Sequence, residues 1–107
     1  MFEENNKMEV QQTPTFKKAY KKLSHKYQDV VDGEIDKIID NPVIGARKKG
    51  DLAHLWVHKF KMNGQLVLLG YSWNDDRLLI TLMNIASHAN FYDDASKRRA
   101  ADLKIIS

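Results

Sequence analysis

Three histidines, His54, His58 and His88, stand in the second half of a 107-residue chain, beside a basic run Arg47, Lys48 and Lys49, with Lys59, Trp56 and Tyr92. Histidine moves protons near neutral pH, lysine and arginine neutralise phosphate, and aromatic rings stack on splayed bases. These are the groups that metal-free RNA cleavage requires. It needs a base for the 2′-hydroxyl proton, an acid for the leaving oxygen, and cations around the pentavalent phosphate. His54, His58 and His88 are the candidates for proton transfer, and Tyr92 or Trp56 for stacking. Arg47, Lys48, Lys49 and Lys59 are the candidate phosphate contacts, and Gly45 and Gly50 let backbone come close. Each also has a structural reading: His88 as a helix cap, His58 as a core histidine, Tyr92 as a helix anchor, the basic run as a solvated loop. His54 reads as an exposed histidine at a strand start. His54 and His58 do not make a zinc site, because on a strand they stand ~13 Å apart. His25 carries no chemistry in this reading.

The elements that must position these residues lie between residues 48 and 92. Residues 54–62 alternate, with Trp56, His58, Phe60 and Met62 on one side and Leu55, Val57, Lys59 and Lys61 on the other. That is the period of a strand. Asn63-Gly64 follows, a hairpin signal, because a type I′ turn needs two residues that tolerate positive φ. Residues 66–73 are nearly all apolar, which predicts a central strand covered on both faces. Asn74, Asp75 and Asp76 make the next turn, and residues 78–85 form the third strand of an antiparallel meander. Ahead of the sheet, Thr13-Pro14 starts a helix. Phe16, Ala19, Tyr20, Leu23 and Tyr27 form one apolar stripe. Val31, Ile35, Ile38 and Ile39 continue the spacing in a second helix that Asn41-Pro42 ends. Gly33 weakens that helix by roughly 1 kcal/mol relative to alanine. The two helices are expected as a hairpin on one sheet face. Residues 8–12 are a possible short edge strand, residues 1–7 are expected to fray, and Ser87 is placed to cap a final helix running towards Leu103.

At this length the chain, 1–107, is read as one domain. Hydrophobic residues make up 43% and charged residues 29%, a globular balance. No cysteine is present, so neither a disulfide framework nor a thiolate metal site is available. No run reaches the length of a membrane span, residues 1–7 are too polar for a signal peptide, and a cytoplasmic protein without cofactor is expected. The net charge is only +3, but the basic residues cluster in the first helix, the loop at 47–49 and the tail. Such clustering suits a polyanion or an acidic protein partner.

Taken in order, the helix hairpin, Lys49-Gly50-Asp51-Leu52, Val57-His58-Lys59-Phe60, Leu68-Leu69-Gly70-Tyr71 and Ser87-His88 through Phe91-Tyr92 resemble the RelE/ParE superfamily of bacterial type II toxin–antitoxin toxins. The resemblance covers about residues 13–94. It implies a small α+β fold: an N-terminal helix hairpin packed on a twisted antiparallel sheet, with a C-terminal helix or tail over 95–107. It implies one of two activities. RelE-like members cut mRNA in the ribosomal A site, and ParE-like members poison DNA gyrase. Both are silenced by an antitoxin that wraps the toxin, here expected to be acidic. In YafQ-like members a histidine followed four residues later by an aromatic belongs to the active site, which His88 and Tyr92 match; the resemblance thus implies His88 as the first choice for proton transfer, with His58 as its partner, and Tyr92 as the residue that orients a base or donates a proton. Lys48, Lys49 and Arg47 fall where RelE-like toxins place phosphate-contacting lysines. Two departures stand out. The middle strand carries Gly70 and Tyr71 where RelE-like nucleases often have an arginine, with Arg77 displaced into a turn. Ala86 replaces the usual glycine before the Ser-His pair.

Overall fold

A computed structural model describes residues 8–106; the segment expected to fray, 1–7, lies outside the described residues. The chain runs through β1 (Glu9–Gln12), α1 (Pro14–Lys21), α2 (His25–Asp40), β2 (Ala46–Arg47), a 3₁₀ turn (Gly50–Leu52), β3 (Trp56–Met62), β4 (Gln65–Asn74), β5 (Leu79–Ser87) and α3 (His88–Ile106). The sheet order is β1-β5-β4-β3-β2, so the apolar strand β4 is central, as its composition predicts. β3, β4 and β5 form the expected antiparallel meander. Asn63 and Gly64 take φ of 53° and 73°, the left-handed pair that a tight hairpin turn needs. β1 adds to β5 in parallel, with Glu9 opposite Leu79, so the sheet is mixed at that edge.

Each sheet face carries its own core. On one side α1 and α2 bring Phe16, Val31, Ile35 and Ile38 against Phe60, Leu69, Tyr71, Ile80 and Leu82, all buried. Thr13 ties this layer to the sheet. Its Oγ1 accepts from Phe16 N at 3.1 Å, capping α1, and donates to Met83 O at 2.7 Å. On the other side α3 lays Phe91 and Ala95 over Leu55, Val57, Leu68 and Met83. Gly70 makes this possible: a Cβ there would stand 2.6 Å from Phe91 Cζ. The fully buried Phe91 ring contributes about 2–3 kcal/mol by burial, which fixes the first turns of α3 against β4.

Candidate active site

α3 starts at His88 directly from the end of β5, so the expected histidine-tyrosine turn is the first turn of a helix. The i, i+4 spacing puts His88 and Tyr92 on one helix face. Their rings sit 6.4 Å apart, edge to face. Phe91 buttresses Tyr92 at 5.2 Å, also edge to face. His88 is exposed and Tyr92 is half-buried.

The basic loop reaches this pair. Lys48 is fixed by its backbone N–H, which donates to Leu55 O at 2.9 Å. Its Nζ stands 5.3 Å from the centre of the Tyr92 ring, within cation–π range. A residue read as a phosphate contact and one read as a base-positioning aromatic therefore meet, 44 positions apart in sequence. Lys49 precedes the 3₁₀ turn and is exposed. Lys59 pairs across the sheet with Leu68, and Leu68 with Ala86, two residues before His88. Leu68 packs under α3, so strand alternation puts the exposed Lys59 on that same side.

Two candidates fall elsewhere. His58 shares its side of β3 with Phe60, under α1 and α2, and its Nε2 lies 2.8 Å from Glu34 Oε1 on α2. It is therefore not the neighbour of His88, and the expected histidine pair does not form. The cause is alternation: His58 and Lys59 point to opposite faces. Arg47 lies opposite Trp56 in the β2–β3 pairing, with its guanidinium 5.9 Å from the indole ring. His54 is not the exposed histidine expected at that position. It is part-buried, and its Nε2 is the buried side-chain nitrogen without a partner among the described residues. Burial, reinforced by the charge of Arg99, lowers its pKa below the usual histidine value.

Tyr71 escaped sequence reasoning as a positioning residue. It is fully buried, and its hydroxyl donates to Pro42 O at 2.7 Å and accepts from Gly45 N at 3.1 Å. Burial raises its pKa above the usual phenol value, against the lowering effect of the Gly45 bond. The side chain that stands where an arginine was expected thus clamps the loop leading into Arg47 and Lys48. The signal was a tyrosine in an otherwise apolar central strand, because a buried phenol needs a partner. Arg99 clamps the same loop from α3, its Nε donating to Asp51 O at 2.6 Å.

Comparison with known proteins bears on the fold and the family. No curated protein matches the sequence. Solved structures do. A mutant of E. coli toxin RelE in the free state has a TM-score of 0.65 at 18% identity, covering 85% of this chain and 96% of that one. The toxin in the intact E. coli RelBE toxin–antitoxin complex has a TM-score of 0.61 at 15% identity, covering 75% and 95%. The RelBE2 complex of Mycobacterium tuberculosis gives 0.60 at 18%, covering 76% and 98%. At such identities these likenesses establish the fold. The family model for the ParE-like toxin of type II bacterial toxin–antitoxin systems matches residues 10–96. The match spans both cores and the His88–Tyr92 turn, and the chain belongs to that family of toxins.

Proposed function

We propose that this toxin is a ribosome-dependent mRNA endonuclease that works without a metal ion. The observation that carries the reading is the convergence of His88, Tyr92 and Lys48, an exposed proton-transfer group beside an aromatic ring with an ammonium over it. His88 acts as the acid or the base. Tyr92 positions a base of the RNA, and Lys48, Lys49 and Lys59 neutralise phosphate and the charge of the transition state, with Arg47 at the edge of the same basic loop. His58, paired with Glu34, holds α2 to the sheet. The silencing partner is a cognate acidic antitoxin, a reading supported by the toxin–antitoxin complexes among the structural neighbours. Its charge complements the lysines of α1 and the basic loop.

Removing one proton-transfer group lowers cleavage ~10²–10⁴-fold. His88→Ala is therefore expected to lose toxicity at matched expression while remaining folded. Full toxicity in that variant removes His88 from the mechanism.

A second reading, a gyrase poison on the same scaffold, is favoured by one observation. The central strand offers no arginine to the site; Gly70 and Tyr71 are both buried. It predicts that toxicity survives alanine at His88, that mRNA stays intact, and that cleaved DNA accumulates with an SOS response.

A further inference from the structure

β1 ends at Gln12, opposite Leu82, and the chain turns away into α1. β5 runs on to Ser87, and among the described residues no strand lies beside that stretch on the β1 side. The β3–β4 hairpin decides which backbone groups face the gap. Its two-residue turn makes Met62 and Gln65 a hydrogen-bonded pair, so residues 65, 67, 69 and 71 of β4 bond to β3, and residues 66, 68 and 70 bond to β5. Ile85 and Ser87 stand opposite Leu69 and Val67. Their N–H and C=O groups therefore point away from β4, at the open edge. Side chains rather than a strand bond to this edge. Met83 O accepts from Thr13 Oγ1 at 2.7 Å, and Ile85 N donates to Asn84 Oδ1 at 2.8 Å.

A cleft of about 370 Å³ opens at the same edge, between α1 and α3, with Asn84 and Ile85 in its floor. Lys18 and Lys22, about one helical turn apart, stand on the α1 wall, and Arg98 stands on the α3 wall; all three are exposed. Asp94 is the one carboxylate in the lining among the described residues, so the cleft carries net positive charge. Asp94 and Arg98 lie on the flank of α3 away from Tyr92 and Arg99, which face the basic loop. Ten helical steps, ~15 Å, separate Arg98 from His88. The cleft is therefore a separate place from the candidate active site.

We propose that this cleft docks an extended acidic segment of a protein partner, which adds to the sheet as a strand beside β5. A strand edge alternates donors and acceptors at the spacing of another peptide backbone, so main-chain bonds supply affinity. The three cations select glutamate and aspartate side chains. Among the described residues no aromatic ring lines the cleft on which a base could stack, and that favours a peptide over a nucleic-acid strand. Sheet edges are blunted by local side chains. Here the Asn84 amide does so at the Ile85 N–H, and the partner backbone takes its place. The proposal does not rest on the chemistry of the His88 site.

Isothermal titration and amide NMR spectra of the full-length toxin test it with four probes. These are a short end-capped peptide of alternating glutamate and threonine, its glutamine–threonine counterpart, its fully N-methylated counterpart, and a short single-stranded RNA. Saturable binding of the glutamate peptide is expected, with the Ile85 and Ser87 amide signals shifted. The glutamine peptide binds about tenfold more weakly, and the N-methylated peptide, which has no backbone donors, does not bind. Lys18→Ala, Lys22→Ala and Arg98→Ala combined weaken the glutamate peptide about tenfold, the effect of three exposed ion pairs, while His88→Ala leaves it unchanged. The peptide comparisons keep the test decisive if the triple variant folds poorly. Equal binding of the glutamine or N-methylated peptide, shifts centred on Lys48 and Tyr92 instead, loss of binding in His88→Ala, tighter binding of the RNA at the same amides, or no binding at all overturns the proposal.

Discussion

Tyr71 makes two hydrogen bonds at one buried oxygen, and both go to the loop that carries the cations. Tyr71→Phe keeps the ring but leaves Gly45 N–H and Pro42 C=O without that partner. A loss of about 1–3 kcal/mol is expected, the cost of unsatisfied buried polar groups, read as a lower urea midpoint. Activity should fall as well, because the 45–49 segment loses its clamp. Glu34 makes a second residue-scale prediction. Burial works to raise its pKa, but the hydrogen bonds from His58 and Lys37 and the charge of Lys37 together hold it below its ordinary value of 4.5. A carboxylate with a depressed folded pKa adds stability that is complete above its unfolded pKa and fades as pH falls through the folded one. Glu34→Gln should therefore be less stable than the parent at neutral pH, and the difference should shrink below about pH 4. A gap that stays constant on acidification contradicts the ion-pair account. Of the residues singled out from sequence, His88, Tyr92 and Lys48 came together. The partner of His58 was not legible, since a contact across 24 positions between a helix and a strand leaves no local signature.

At the scale of elements, α3 depends on a missing side chain. Gly70→Ala puts a methyl 2.6 Å from Phe91 Cζ, and such overpacking typically costs 1–3 kcal/mol. Thermal denaturation of that variant should show the loss. Because Phe91 neighbours Tyr92, toxicity should fall beyond what the stability loss explains. Thr13→Ala removes a helix cap and the bond to Met83 O, with an expected loss of about 1–2 kcal/mol. A change below about 0.5 kcal/mol, the usual scatter of surface substitutions, contradicts that role. The meander and both N-terminal helices were readable because their signals are local: period-2 alternation, an Asn-Gly turn, a Thr-Pro start. The parallel docking of β1 on β5 was not, because it pairs residues 70 apart. The start of α3 at His88 was readable from Ser87, placed to cap a final helix, although no glycine, proline or linker separates that helix from β5. That direct join turns a loose motif into a site, since a helical turn sets the spacing of His88 and Tyr92 and a buried Phe91 locks it.

The whole molecule puts its unlike tasks in different places. α1 and α2 close one face of the sheet. α3 closes the other and carries the candidate site at its first turn, with the basic loop delivered there by Tyr71 and Arg99. Among the described residues no helix is long and apolar enough to cross a membrane. The lysines of α1 and those of the basic loop lie on opposite sides of the sheet; on the proposed function the loop meets RNA, and the same loop charges attract an acidic segment of an antitoxin. Excess antitoxin is accordingly expected to abolish cleavage by competition. If His88 cuts mRNA on the ribosome, primer extension on an mRNA in a purified translation system, run with the parent toxin and with His88→Ala, shows new 5′ ends at A-site codons that require ribosomes and disappear in the variant. Intact mRNA with a toxin that still kills cells contradicts that proposal and leaves the scaffold to gyrase.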